Sequence, residues 1–235
     1  MLIRITNKCH MGCSHCMINA TPSGEHMSVE IFTGSINFLK RVDAKLIMIS
    51  GGEPTDHPLL PNFADMAQKC GLYTIILSNG MFLEDSVLRD KILALGCPIQ
   101  ITNDARYYPK RIAQFDHPLI SYEFKLRSIT PLGRASDMVS YGRTAPMCFN
   151  LRSIARQSDS LTTAIATLRS YGKMCTPSIN VDGSIVAGES SECHKIGDIF
   201  CSDEELLGRL QTMKCNECGM ENNLSPIHRN AIGID

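Results

Sequence analysis

The sequence predicts an α/β fold: a parallel sheet wrapped by helices, followed by a small cysteine-bearing domain. Three observations predict it. Short β-like runs alternate with helical apolar spacing over the first half of the chain. Strand–helix–strand units of this length supply the crossovers that parallel pairing requires. Near residue 130 the pattern changes, where the turn-rich TPLGRAS (130–136) interrupts it. Pattern alone leaves the sheet either open or barrel-like. The expected division is a barrel-like domain over 1–145 and a smaller domain over 146–235.

LIRIT (2–6), KLIMIS (45–50), YTIILS (73–78), CPIQIT (97–102) and LISYEFKLR (119–127) read as strands. Between them, VEIFTGSINFLKRV (29–42), PLLPNFADMAQKC (58–70) and LEDSVLRDKILALG (83–96) carry helical spacing. Gly71 and Gly96 close the last two at C-cap positions. Further on, SIARQSDSLTTAIATLRSYG (153–172) reads as one helix. PSINVDGSIVAG (177–188) reads as a hairpin turning at Asp182-Gly183. The tail ENNLSPIHRNAIGID (221–235) has little hydrophobic pattern.

Charge excludes some functions. Lys plus Arg (23) nearly cancels Asp plus Glu (24), so no basic excess points to nucleic acid or an anionic membrane. No apolar run approaches the ~20 residues of a membrane span. MLIRITNKC opens as a strand and not as a signal peptide, so the expected location is cytoplasmic. Eleven cysteines is then a high count, because that compartment keeps thiols reduced. Cys70, Cys97, Cys148 and Cys201 stand alone and are expected to be inert, packed thiols. The other seven are clustered at spacings that point to metal.

The first cluster, CHMGCSHC (9–16), follows the first strand directly. Parallel α/β folds place active sites on loops at the carboxyl ends of strands. Zinc normally takes four ligands, and His10 or His15 could supply the fourth beside Cys9, Cys13 and Cys16. Three thiolates in one loop suit a cubane iron–sulfur cluster better, with one iron left open.

This CxxxCxxC, followed at the end of the second strand by Ser50-Gly51-Gly52-Glu53-Pro54, resembles the radical S-adenosylmethionine (SAM) superfamily. The resemblance implies a partial (β/α)6 TIM-like barrel and a [4Fe-4S] cluster on Cys9, Cys13 and Cys16. It implies SAM at the open iron, with Ser50, Gly51, Gly52, Glu53 and Pro54 beside its methionine amino group. Two residues without Cβ permit close backbone approach to a ligand. Ser78-Asn79-Gly80 resembles another element near SAM, which brings in Ser78 and Asn79. By the same resemblance Asn103 lies near the ribose, Lys125 and Arg127 are candidates for the methionine carboxylate, and His15 packs near adenine.

Cys175 and Cys193, separated by seventeen residues, and the CxxC of Cys215 and Cys218 resemble the SPASM/twitch extension of the same superfamily. Pro131-Leu132-Gly133-Arg134-Ala135 resembles a segment frequent in it. No cysteine follows Cys218, which suits the single auxiliary [4Fe-4S] cluster of the twitch form. Two separated thiol pairs also fit a structural zinc held by four cysteines.

The resemblance implies an enzyme that reductively cleaves SAM and takes a hydrogen atom from a peptide, protein or small polar substrate. A net oxidation or crosslink would draw on the auxiliary cluster, and a flavodoxin or ferredoxin would supply the electron. The auxiliary spacing resembles that of an aminocyclitol dehydrogenase. Only eight residues precede Cys9, so no fused leader-peptide recognition domain is expected. The alternatives are a glycyl-radical-enzyme activating enzyme and a non-catalytic zinc-binding module. No pattern identifies a catalytic acid or base; Asp104, Glu123 and Arg134 are the candidates.

Overall fold

The computed structural model describes residues 1–126, 129, 132–136, 138, 155–170, 176–188 and 194–213. Arg127, Cys148, Cys175, Cys193, Cys215 and Cys218 lie outside the described residues.

Eight strands form one sheet among the described residues: β1 (Leu2–Thr6), β2 (Leu46–Gly51), β3 (Tyr73–Ser78), β4 (Ile99–Thr102), β5 (Ile120–Glu123), β6 (Ser178–Ile179), β7 (Ser184–Val186) and β8 (Lys195–Asp198). Their spatial order is β5-β4-β3-β2-β1-β6-β7-β8. Pairing is parallel from β5 through β1 to β6, and antiparallel from β6 to β8. The sheet is open, with β5 and β8 at its ends, as a partial barrel requires. The hairpin turns at Asp182-Gly183 as expected, with Gly183 at φ 81° and Asp182 Oδ1 accepting from Ser184 N–H at 2.9 Å. It continues the same sheet through β6 against β1.

Three helices follow the strands of the first half: α1 (Val29–Arg41), α2 (Leu60–Lys69) and α3 (Ser86–Leu93). Ser28 caps α1, and Asp85 caps α3 by accepting from the N–H groups of Val87 and Leu88. Phe32, Ile36 and Leu39 put one apolar stripe of α1 on the sheet. Phe32 stacks on Phe63 of α2 with ring centroids 4.1 Å apart. Gly71 and Gly96 have φ of 77° and 67°, the left-handed conformation that ends a helix without a Cβ clash.

The helices decide which face of the sheet is which. Ile3, Ile5, Ile47, Ile49, Ile76, Ile99 and Ile101 are sealed in the core. The alternate positions, among them Leu2, Arg4, Ser50, Leu77 and Thr102, open onto a cavity on the other face.

Two elements are shorter than the sequence suggests. The fifth strand stops at Glu123 because the Asp104 carboxylate takes the Leu126 N–H at 2.8 Å and draws the chain away from the edge. The single helix expected over 153–172 breaks at Ser158-Asp159-Ser160, where Ser160 Oγ accepts from Thr163 N–H and starts α4 (Leu161–Ser170). A capping box of Ser202 and Glu205 starts α5 (Asp203–Thr212). Among the described residues no helix is long and apolar enough to cross a membrane.

Candidate active site

The exit of β1 builds the site. The register of β1 against β2 shifts between Arg4 and Thr6, and the chain then enters the cysteine loop. That loop is tied to the segment that follows it: Asn7 N–H donates to Glu25 O at 2.8 Å and Cys9 N–H to Thr21 O at 2.9 Å. β2 holds it from the other side. Gly52 N–H donates to Thr6 O at 2.7 Å, and Glu53 N–H to Lys8 O at 2.8 Å.

These bonds explain the glycine pair. A Cβ on Gly51 would lie 2.2 Å from Thr6 O, and one on Gly52 would lie 2.2 Å from Lys8 O. The close approach is to the end of β1 and to Lys8, where the chain enters the cysteine loop. The pair therefore sets where the thiols stand, whatever a ligand then does.

Cys9, Cys13 and Cys16 line one cavity of about 310 Å³ together with His15, Ser50, Gly51, Gly52, Ser78 and Asn79. All three are free thiols, with Cys9 and Cys13 buried. Burial pushes the Cys9 thiol above its ordinary range. Burial and the neighbouring Cys9 and Cys16 push Cys13 up to about 12, with Arg134 opposing. Thiolates here need a positive partner to offset their desolvation. Among the described residues no three His, Cys, Asp or Glu side chains stand close enough to share one metal ion. Three soft donors facing one cavity fit a cubane, in which each sulfur meets a different iron.

Glu53 is 2 % exposed, and its carboxylate faces the protein. It accepts from Thr55 N–H (3.1 Å), Thr55 Oγ1 (2.7 Å), Ser78 Oγ (2.9 Å) and Asn79 N–H (2.8 Å). Burial raises its pKa, and these four donors offset part of that rise. Glu53 thus joins the ends of β2 and β3. Pro54 is buried at the start of a 3-10 turn, Pro54–Asp56, and neither it nor Glu53 is among the cavity's lining residues.

Asn103 is similarly committed, its amide donating to Asn79 O and Lys110 O, both at 3.2 Å. His15 lines the cavity in contact with Tyr107 and Tyr108, with ring centroids 5.3 and 4.8 Å away. Burial lowers its pKa, so the neutral ring is favoured. Lys125 is exposed, and neither it nor Glu123 is among the cavity's lining residues.

Two acid–base candidates are spoken for. Asp104 sits under a fork from Arg106, whose Nε lies 2.9 and 3.1 Å from its two oxygens, and this holds its carboxyl well below the usual range. Arg134 clamps the cysteine loop: Nε donates to Cys13 O at 2.9 Å, Nη1 to Ala20 O at 2.8 Å, and its backbone N–H to Cys16 O at 3.0 Å.

Among the lining residues that sequence reasoning misses, Arg4 and Tyr108 carry polar groups. Arg4 is 2 % exposed on β1 and donates to Ser178 Oγ (2.9 Å) and Asn180 Oδ1 (2.8 Å) of the C-terminal hairpin. The alternation of LIRIT marks its face, but nothing local reveals a partner 174 residues away. Tyr108 comes from a loop without periodicity; burial and the nearby Cys13 and Glu53 raise its phenol pKa.

Residues 3–116 match the radical SAM superfamily. The chain is 29% identical over 83 residues to an S-adenosylmethionine-dependent nucleotide dehydratase of Thermoplasmatales archaeon (strain ISO4-H5), which is 35% of this chain and 30% of that protein. It is 30% identical over 88 residues to a PqqA peptide cyclase of Rhizobium meliloti (strain 1021), 37% of this chain and 24% of the relative. The matched segments thus span less than a third of these relatives' lengths. Among solved structures, BtrN in complex with AdoMet and 2-DOIA aligns with a TM-score of 0.53 at 16% identity, covering 91% of this chain and 82% of that one. At that identity the likeness is one of fold.

Proposed function

We propose, from the premise that residues 3–116 match the radical SAM superfamily, that this chain is an enzyme that reductively cleaves SAM and abstracts a hydrogen atom from its substrate. The observation that carries this reading is the convergence of Cys9, Cys13 and Cys16 on one cavity with Ser50-Gly51-Gly52 and Ser78-Asn79. Bound there, a [4Fe-4S] cluster and SAM supply one-electron sulfonium cleavage and a carbon radical able to attack an unactivated C–H bond.

The chain's own residues do the rest. The three thiols hold the cluster. The Gly51-Gly52 contact and the Arg134 clamp fix the loop that carries them. Ser50, Gly51, Gly52, Ser78 and Asn79 face SAM, and Glu53, Pro54 and Asn103 act from behind by holding those strand ends in place. His15, in contact with two tyrosines, would offer a flat ring to adenine. Lys125 and Arg127 remain candidates for the methionine carboxylate. Leu2, Met17, Ile18 and Leu77 add apolar side chains to the lining, which would exclude water from the reacting atoms.

In this reading residues 146–235 carry an auxiliary [4Fe-4S] cluster on Cys175, Cys193, Cys215 and Cys218, and 1–145 the SAM-cleaving core. Four thiolates close that cluster, so its part is electron transfer, in a net oxidation or crosslink. A flavodoxin or ferredoxin type donor fits the one-electron input. The substrate is a peptide, protein or small polar molecule: the relatives named above include a nucleotide dehydratase and a peptide cyclase.

Anaerobic reconstitution tests the assignment. Two cubanes predict about eight irons per chain; about four irons would remove the auxiliary cluster. Deuterated candidate substrates, incubated with SAM and reductant, are expected to pass deuterium into 5′-deoxyadenosine. SAM cleavage with no deuterium transfer from any peptide or polar metabolite tried would overturn the substrate class.

A further inference from the structure

We propose that Asn79 tunes the reduction potential of the cluster on Cys9, Cys13 and Cys16 by donating its side-chain N–H to the Cys9 sulfur. The inference rests on the cluster assignment above and goes beyond it. Asn79 Nδ2 lies 3.8 Å from Cys9 Sγ, and both residues are buried. Sulfur is large, so this is hydrogen-bond range for a thiolate acceptor.

The direction of the amide is fixed by its other end. Met81 N–H meets Asn79 Oδ1 at 2.9 Å. A backbone N–H can only donate, so the atom it meets is the oxygen and the NH2 group faces the sulfur. The Asn79 backbone is pinned as well. Its N–H donates to Glu53 Oε2 at 2.8 Å, and its carbonyl accepts from Asn103 Nδ2 at 3.2 Å. The side chain cannot turn away without breaking the Met81 bond.

A second donor reaches the same atom: Met11 N–H stands 3.4 Å from Cys9 Sγ. An added electron makes a cluster and its thiolates more negative, so N–H dipoles aimed at a ligand sulfur favour the reduced form and raise the potential. Burial strengthens the effect because little water screens it. Glu53 is then a positioning residue. It seats the Asn79 backbone so that the amide reaches the sulfur.

The test is a potentiometric titration of the anaerobically reconstituted protein, read by EPR on the cluster signal that changes when SAM is added. Asn79→Ala removes both ends of the amide. Asn79→Asp keeps an oxygen for Met81 N–H but has no donor for sulfur. Both variants are expected to shift the potential negative, Asn79→Asp the further. A purely structural asparagine predicts a wild-type potential in Asn79→Ala, and that result would overturn the proposal; the further shift in Asn79→Asp comes from its added negative charge. Should neither variant assemble the cluster, wild-type protein labelled with 15N-asparagine decides. Pulsed EPR of the reduced cluster is expected to show one weakly coupled 15N, and its absence overturns the proposal. Wild-type protein that takes up no iron would instead defeat the parent reading, and this inference with it.

Discussion

Arg134 reaches back across 121 residues to donate through Nε to the carbonyl oxygen of Cys13 at 2.9 Å, in the middle of the cysteine loop. Its Nη1 holds Ala20 O at 2.8 Å, so one guanidinium spans the loop. Arg134→Gln is expected to cost about 1–2 kcal/mol, since the side chain is partly open to solvent. It should also lower iron retention at the first cluster severalfold, measured as iron per chain after desalting. Arg134→Lys keeps the charge and loses the fork, so it should rescue only part of the retention.

Gly52 faces a harder limit. A Cβ there would stand 2.2 Å from Lys8 O and 3.0 Å from Cys9 Cβ, and backbone cannot yield as a side-chain tip can. Gly52→Ala is expected to abolish iron uptake at the first cluster. Gly12, in the same loop, has nothing within 4 Å of its ideal Cβ, though its φ is 67°. Gly12→Ala should therefore cost only the left-handed penalty of about 1–2 kcal/mol and retain iron. Equal behaviour of the two variants would contradict the packing argument.

Glu53→Ala leaves the donors of Thr55, Ser78 and Asn79 facing no acceptor. Buried donors left unpaired cost about 1–3 kcal/mol each, and they are not additive, so a total of about 3–5 kcal/mol is expected. For a chain of this size each kcal/mol moves Tm by roughly 2–4 °C. Glu53→Gln keeps an oxygen for some of these donors and should fall between the two. A fall in Tm below about 3 °C for Glu53→Ala would show that Glu53 does not join β2 to β3.

His57 sets a pH dependence. Its ring is buried, with Nε2 3.0 Å from Met27 O and Nδ1 accepting from Leu59 N–H at 3.0 Å. Only the neutral tautomer protonated on Nε2 satisfies both. Burial lowers its pKa from 6.5, and the adjacent His26 lowers it further when charged. The unfolded chain therefore takes up the proton first as the medium acidifies. The stability due to this group is fully present above pH 6.5 and is lost as pH falls through 6.5 towards the lower folded value. Denaturant titrations of the apoprotein should show a decline between about pH 7 and 5, flattened in His57→Asn. A slope unchanged by that substitution would assign the decline to other groups.

The sheet could be read ahead of the structure because its signals are local. Ile3, Ile5, Ile47, Ile49, Ile76 and Ile101 recur at strand spacing, and Gly71, Gly96 and Asp182-Gly183 end elements by turn chemistry. The thiols, the glycine pair and Ser78-Asn79 could be read as well, each at a strand's carboxyl end. What they touch could not. Close approach at Gly51-Gly52 was legible, but its partner proved to be the backbone of Thr6 and Lys8, which leads into the cysteine loop. Asp104 read as a candidate acid until Arg106 and Leu126 N–H occupied it. Nothing near Arg4 in the sequence marks its role, because Ser178 and Asn180 meet it only through folding. Pairings across more than a hundred residues leave no periodic trace.

The most direct measurement is the fate of SAM itself. Anaerobically reconstituted protein, given a low-potential reductant and SAM, should release 5′-deoxyadenosine and methionine in equal amounts, and Cys13→Ala should release neither. Intact SAM recovered from wild-type protein that carries its first cluster would contradict the account.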